Sequence, residues 1–194
     1  MRPRQFDDEK VLAVAFEQFW RKGVRATSLS DIARDAGVIR GSLYNAFGSK
    51  EALFLSAYER YSNSYLNDIE QSLSRGSLKT RLSKFFDVAI ANFSRGTPPK
   101  GCPTTRGLME IISSEDGLDE TAREAFASLI SQVIDLVADT LRRGAEKGEF
   151  AGDPQKTAEH IVTVARGLVV MERAFGDQGQ LGRIAKHTVD AVLR

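Results

Sequence analysis

Few side chains in this sequence could do covalent chemistry: one cysteine, Cys102, and two histidines, His160 and His187, in 194 residues. One thiol and two distant imidazoles make a poor metal set, and no HExxH, CxxC or glycine-rich phosphate loop accompanies them. Cys102 stands in GCPTTRG, residues 101–107. Pro103 suits the first position of a helix, which leaves Cys102 at the cap, its sulfur close to unpaired amides. With Lys100 and Arg106 near in sequence, that placement favours a reactive thiolate. Two readings stand open: a sensor thiol, and a small buried packing residue, the commoner fate of a free cysteine. A third, a nucleophile in an enzyme, needs a histidine within reach of the sulfur, and nothing in the sequence places one there. Neither enzyme activity nor a cofactor is expected.

The denser constellation is DIARDAGVIRGSLYNAFGSK, residues 31–50. A short amphipathic helix runs into a Gly turn and then a second short helix, and two such helices bury little apolar surface by themselves. The second presents Arg40, Gly41, Ser42, Tyr44 and Asn45. Arg40 can reach guanine O6 and N7 or a phosphate, and Asn45 can read adenine. Ser42 and Tyr44 can donate to phosphates, and Gly41 lets the backbone approach closely. Lys50, opening the next helix, adds charge where helix amides already favour an anion. This set fits a major groove, the second helix entering and the first bracing it on the backbone. A helical hairpin with a solvated side is the plainer alternative for the Gly turn alone.

The elements that position these residues are helices nearly throughout, with no convincing alternating strand, so the fold class is all-α with about nine helices. Leu12, Ala15, Phe16 and Phe19 mark a first helix closed by Gly23. Thr27 then sits where an N-cap belongs, ahead of Leu29, Ile32, Ala33 and Ala36. Gly37 is the left-handed turn residue. Leu43 and Phe47 turn inward on the third helix, and Gly48-Ser49 breaks and recaps the chain for a fourth, about 49–73. Ala33, Ala36, Val38, Leu43 and Phe47 form the small core that holds the angle of the two helices.

Beyond residue 76, Leu82, Phe85, Phe86, Ala89, Ile90 and Phe93 form a broad apolar stripe ended by RGTPPKG. Further helices are expected at about 103–113, from Glu120 to about Lys147, and at 154–175 behind an Asp153-Pro154 start signal. A last helix carries Leu181, Ile184, Ala185, Val189 and Val192.

Composition is ordinary for a globular chain, 42% apolar and 27% charged, which sets aside disordered and collagen-like classes. No run of about 18 apolar residues and no signal-peptide centre occurs, so no membrane partner is expected and the compartment is the cytoplasm. The net charge of +1 hides an asymmetry: residues 1–50 hold nine Lys/Arg against six Asp/Glu, which leaves 18 against 20 in the rest. The first segment is the anion partner of the two.

From Phe16 to Phe54 an aromatic-rich helix, G-x-x-x-T, D-I-A-x-x-A-G-V, G-S-L-Y-x-x-F and G-S-K-E-x-L-F follow in order. Each element is weak, but the ordered set closely resembles the tetracycline-repressor (TetR) family of bacterial transcription regulators. The resemblance implies a helix-turn-helix DNA-binding domain, residues 1–48, and a helical ligand-binding and dimerising domain, residues 49–194. It implies that Thr27 is a cap touching a phosphate, that Arg40, Gly41, Ser42, Tyr44 and Asn45 are recognition-helix contacts, and that Lys50 touches a phosphate. The implied function is a ligand-responsive regulator, most often a repressor, on near-palindromic double-stranded operator DNA. Arg2 and Arg4 are candidates for a minor-groove arm, against the plainer reading of solvated termini.

In the second domain, Phe85, Phe86, Phe93, Met109, Phe126, Ile130, Met171 and Phe175 are candidates to line a cavity for an apolar small-molecule effector, against plain core. A subset of TetR-like regulators has a similar G-C at the start of this helix, and in some of them that cysteine senses oxidants, electrophiles or copper. Here Pro103 follows where those members carry an aliphatic residue. For a homodimer, the last two helices offer Val162, Ala165, Gly167, Leu168, Val169, Ile184, Val189 and Val192, a face that would pack inward in a monomer. In the family this face forms a four-helix bundle between two subunits.

Overall fold

The computed structural model describes residues 7–96, 99–112 and 120–194. Arg2, Arg4 and two residues of the RGTPPKG loop lie outside them. The described elements are nine helices and no strand, in the order α1 (Asp8–Lys22), α2 (Leu29–Ala36), α3 (Arg40–Phe47), α4 (Lys50–Ser72), α5 (Leu78–Phe93), α6 (Pro103–Ile112), α7 (Glu120–Glu146), α8 (Pro154–Phe175) and α9 (Gln178–Val192). This is the all-α architecture expected from the apolar spacing. The chain divides into two compact units: residues up to Ser64 together with Arg106–Phe126, and Tyr65–Thr105 together with Ala127–Arg194.

In the first unit, α1 starts where the Asp7 carboxylate accepts from the amides of Glu9 and Lys10, at 3.0 and 3.4 Å. It stops at Gly23, whose φ of +86° is open to glycine and whose N–H donates to the Phe19 carbonyl. Val11, Ala15 and Phe19 are buried, and the core continues as an aromatic cluster. Phe19 meets Phe54 edge-on with ring centroids 5.4 Å apart, and Phe126 meets Tyr58 in the same way at 4.7 Å. Such pairs add about 0.5–1.5 kcal/mol each beyond the area they bury. Phe126 is therefore core of this unit and not the wall of an effector cavity, because its ring is fully enclosed by these aromatics.

Phe126 packs directly on Gly107 of α6, where a Cβ would overlap the ring. Gly107→Ala is accordingly expected to destabilise the protein by about 1–3 kcal/mol, the usual cost of overpacking. A thermal melt checks it; an unchanged Tm would mean that the ring can move aside.

In the second unit α5 packs on α8 and α9, and α8 on α9. Asp153 caps α8 by accepting from Gln155 and Lys156 amides at 3.0 and 3.2 Å, with Pro154 at the first helical position. Gly176, left-handed at φ +62°, ends α8, and Asp177 caps α9. Lys186 and then Lys79 hydrogen-bond the Asp190 carboxyl and hold its pKa down at about 2. The Lys79–Asp190 pair, 2.6 Å, ties α5 to α9.

Most of the dimer face expected from the last two helices is turned inward. Val162, Ala165, Leu168, Val169 and Val189 are buried within the single chain, and Ile184 and Val192 are half-buried. The apolar stripe of each helix is used first for the chain's own core, where burying one such side chain contributes about 1.5–3 kcal/mol. Gly167 faces outward with open space around it. On the same helix Val170 is 60% exposed and Phe175 65% exposed.

Candidate functional site

The α2–α3 pair is built from two precise ends and one unusual one. Ser28 caps α2: its Oγ accepts from the Asp31 amide at 3.1 Å and donates to the Asp31 carboxylate at 3.0 Å. The Ser28 hydroxyl, then Lys22 and Arg34, hold the Asp31 carboxyl below the usual carboxylate range. Thr27, expected in the cap, is 2% exposed, and its hydroxyl donates to the Gly23 carbonyl at 2.7 Å. With that hydroxyl turned into the α1–α2 corner, the cap and any outward polar atom belong to Ser28. The S-x-x-D spacing of residues 28–31 was the signal for it.

At the other end of α2, Gly37 takes the left-handed conformation at φ +72°, and the Val38 amide donates back to the Ala33 carbonyl at 2.9 Å. This Schellman-type closure sets the direction in which α3 leaves. Leu43 is buried and Val38 and Phe47 half-buried, with Ala33 and Ala36 in the core as expected. Gln18 of α1 donates to Asp35, so α2 is held from both sides.

Against that scaffold α3 turns Arg40, Gly41, Tyr44 and Asn45 outward, Tyr44 to 63% exposure, with Ser42 half-buried beside them. Lys50 is half-buried, and its ammonium lies 3.5 Å from the Arg25 carbonyl. The helix begins at Ile39, which has no side-chain cap bond and is 75% exposed. Sequence reasoning passed over this residue.

A second group of polar residues lies in the other unit. A small cavity of about 20 Å³ is lined by Tyr65, Asn92, Cys102 and Arg166 on its polar side and by Phe85, Phe93 and Val133 among its apolar residues. That volume matches about one water molecule. Arg166 Nη1 donates to Cys102 Sγ at 3.1 Å. Burial, outweighing the nearby Arg166 charge, pushes the Tyr65 phenol up to about 12, so it stays protonated and can donate. A wider groove of about 430 Å³ shares Tyr65 and Asn92 with this cavity and adds Asp68, Lys84, Asp87 and Arg95.

Of the expected cavity residues, Phe85 and Phe93 line this chamber; Phe86 is buried core, and Ile130 and Met171 are half-buried elsewhere. Met109 at 57% exposure and Phe175 face outward, so neither walls a cavity. Cys102 is buried immediately before α6, as the Pro103 signal implied. Its cationic partner is Arg166 and not Arg106. Arg106 donates instead to the Trp20 and Arg21 carbonyls, at 3.0 and 3.1 Å, and to Glu110 at 3.3 Å. The Glu110 carboxylate in turn accepts from the Val24 amide at 3.2 Å. These bonds hold α6 against the carbonyl end of α1, where a cation is favoured.

Two family models match this chain, one described as bacterial regulatory proteins of the tetR family over residues 11–57, the other as a tetracyclin repressor-like C-terminal domain over residues 79–188. The chain belongs to the tetR family. The family resemblance carried by Phe16 to Phe54 is borne out, and it extends to the second half. Relatives include the HTH-type transcriptional repressor ComR of Escherichia coli, 36% identical over 97% of this chain and 90% of that protein. The repressor NemR of Escherichia coli is 28% identical over 82% of this chain and 80% of its own. Among solved structures, reduced NemR superposes with a TM-score of 0.86 over 96% of both chains at 24% identity, which shows the tetR fold. A cysteine mutant of the tetR-family regulator CifR, complexed with 26-bp double-strand operator DNA, superposes at 0.84 and 26% identity over 99% of this chain and 100% of its own.

Proposed function

We propose that this protein is a transcriptional repressor that binds near-palindromic operator DNA as a homodimer in the cytoplasm and is released by a small-molecule or thiol-reactive signal. Residues 1–48 read DNA, and residues 49–194 receive the signal and dimerise. The observation that carries this reading is the outward polar face of α3 on a helix-turn-helix scaffold closed at Gly37. Arg40 and Asn45 address base edges, and Ser42, Tyr44 and Lys50 address phosphates. The operator complex of CifR, a neighbour across the full chain, supports it.

Dimerisation is assigned to the outward face of α8, Gly167, Val170 and Phe175, with half-buried Ile184 of α9. Exposed apolar side chains beside a glycine suit close helix contact with a second copy. The signal is assigned to the chamber at Cys102 and Arg166. A chamber with room for about one water must expand to take a ligand or a cysteine adduct, which bears on α6 because α6 starts at the next residue. The same helix carries Arg106 and Glu110, whose bonds hold the α1–α2 corner. Release requires the ligand to favour the conformation that does not bind DNA.

The test is a duplex of the protein's own upstream DNA titrated across a salt series. Replacing Tyr44 and Lys50 together by alanine is expected to weaken binding to all duplexes and to reduce the salt slope by about two, one charge from each of two subunits. An unchanged slope would take Lys50 out of the interface.

A further inference from the structure

We infer that Ile39 is a specificity-determining residue that reads the 5-methyl group of a thymine in each operator half-site, an inference that rests on the operator-binding reading of α3. Ile39 occupies the N-cap of α3, a position where Ser, Thr, Asp or Asn would accept a bond from the first amides and where isoleucine is among the poorest choices. The residue forgoes the cap and places an aliphatic side chain in water at 75% exposure, among the most exposed large hydrophobic groups of the described residues. Two positions on, Gly41 stands inside the first turn, and beyond its chain neighbours and its own helix backbone nothing lies within 4 Å of where a Cβ would be. Glycine there weakens the helix and answers no packing need within the chain.

Local rules broken side by side at one helix end mark a surface shaped for something outside the chain. The flanking residues say what it is: Arg40 and Tyr44 are exposed on one face of the helix proposed to enter the groove. In the major groove the one apolar group a base offers is the thymine methyl. Ile39 leads the helix that enters the groove, and Gly41 lets the backbone come close enough for the methyl to meet it. The preference follows from burying one methyl against an aliphatic side chain, and it is absent for cytosine, which carries only a hydrogen at that carbon.

The experiment selects binding duplexes from a random double-stranded library with the wild type and with Ile39→Ser, then replaces each selected thymine by deoxyuridine, which lacks only the methyl. The wild type is expected to fix a thymine at one position per half-site and to lose about fourfold in affinity for deoxyuridine there, about fifteenfold with both half-sites changed. Ile39→Ser is expected to leave that position undetermined, to be indifferent to deoxyuridine, and to melt about 2–4 °C higher because the cap is restored. Ile39→Leu, which keeps the apolar surface, is expected to retain the deoxyuridine effect. Equal wild-type affinity for deoxyuridine at every position of the selected site would overturn the inference, as would a lower melting temperature for Ile39→Ser. Failure of the wild type to select any sequence is a different result, and it would overturn the DNA-binding reading itself.

Discussion

Arg40→Ala is expected to lower affinity for the cognate duplex by about 30-fold to about 3 × 10⁴-fold, because each lost bidentate guanine contact costs about 1–3 kcal/mol and the proposed dimer loses two. Arg40 is the exposed cation at the start of α3, the part of a recognition helix that reaches base edges. The loss should be unequal among sequences: duplexes with a changed base pair at the Arg40 position should bind the variant and the wild type alike. If Arg40 meets only a phosphate, affinity falls by the same factor for every duplex and the salt slope drops by about two. A panel of single-base-pair operator variants, titrated at two salt concentrations, separates these outcomes.

Val170→Arg is expected to keep the proposed dimer from forming and to weaken operator binding by at least about 100-fold, because two linked half-site contacts become independent ones. Val170 contributes little to the core of its own chain, being 60% exposed, so the variant should melt close to the wild type. A charge at the centre of a desolvated interface is unpaired and costly, whereas on a free surface it is harmless. Light scattering of the purified variant gives the mass directly. A dimer that survives Val170→Arg would move the interface elsewhere on the chain.

Gly23, Gly37, Asp153-Pro154 and the start of α6 at Pro103 were legible because each signal is local: a positive φ, a missing N–H or a short capping side chain acts within one turn. The cap of α2 slipped by one residue because Thr27 and Ser28 are adjacent hydroxyls, and only the packing of α1 on α2 shows which is buried. The apolar face of α8 was visible, but its period cannot say whether it meets the chain's own core or a second copy. Core comes first, and the sparser opposite face is the one that shows Gly167 and Val170 to solvent.

Tertiary contacts were beyond the sequence for a different reason. Arg166 reaches Cys102 across 64 residues of chain, and Arg106, four residues from Cys102, turns instead to the α1 carbonyls. Nearness in sequence within a helix places side chains by rotation around its axis, not by charge. The outward residues of α3 were readable because an eight-residue helix buries one face and must show the other. Ile39 escaped notice because an aliphatic residue between two helices reads as core until its exposure is seen.

If α3 presents a DNA-reading surface in a dimer, titrating the protein's own upstream DNA over a range of salt must show it in both affinity and stoichiometry. The expected result is two chains per site, a specific duplex bound at least about 10³-fold more tightly than random DNA, and a logarithmic affinity that falls linearly with the logarithm of salt. Affinity no greater than for random DNA, or one that salt leaves unchanged, would contradict it.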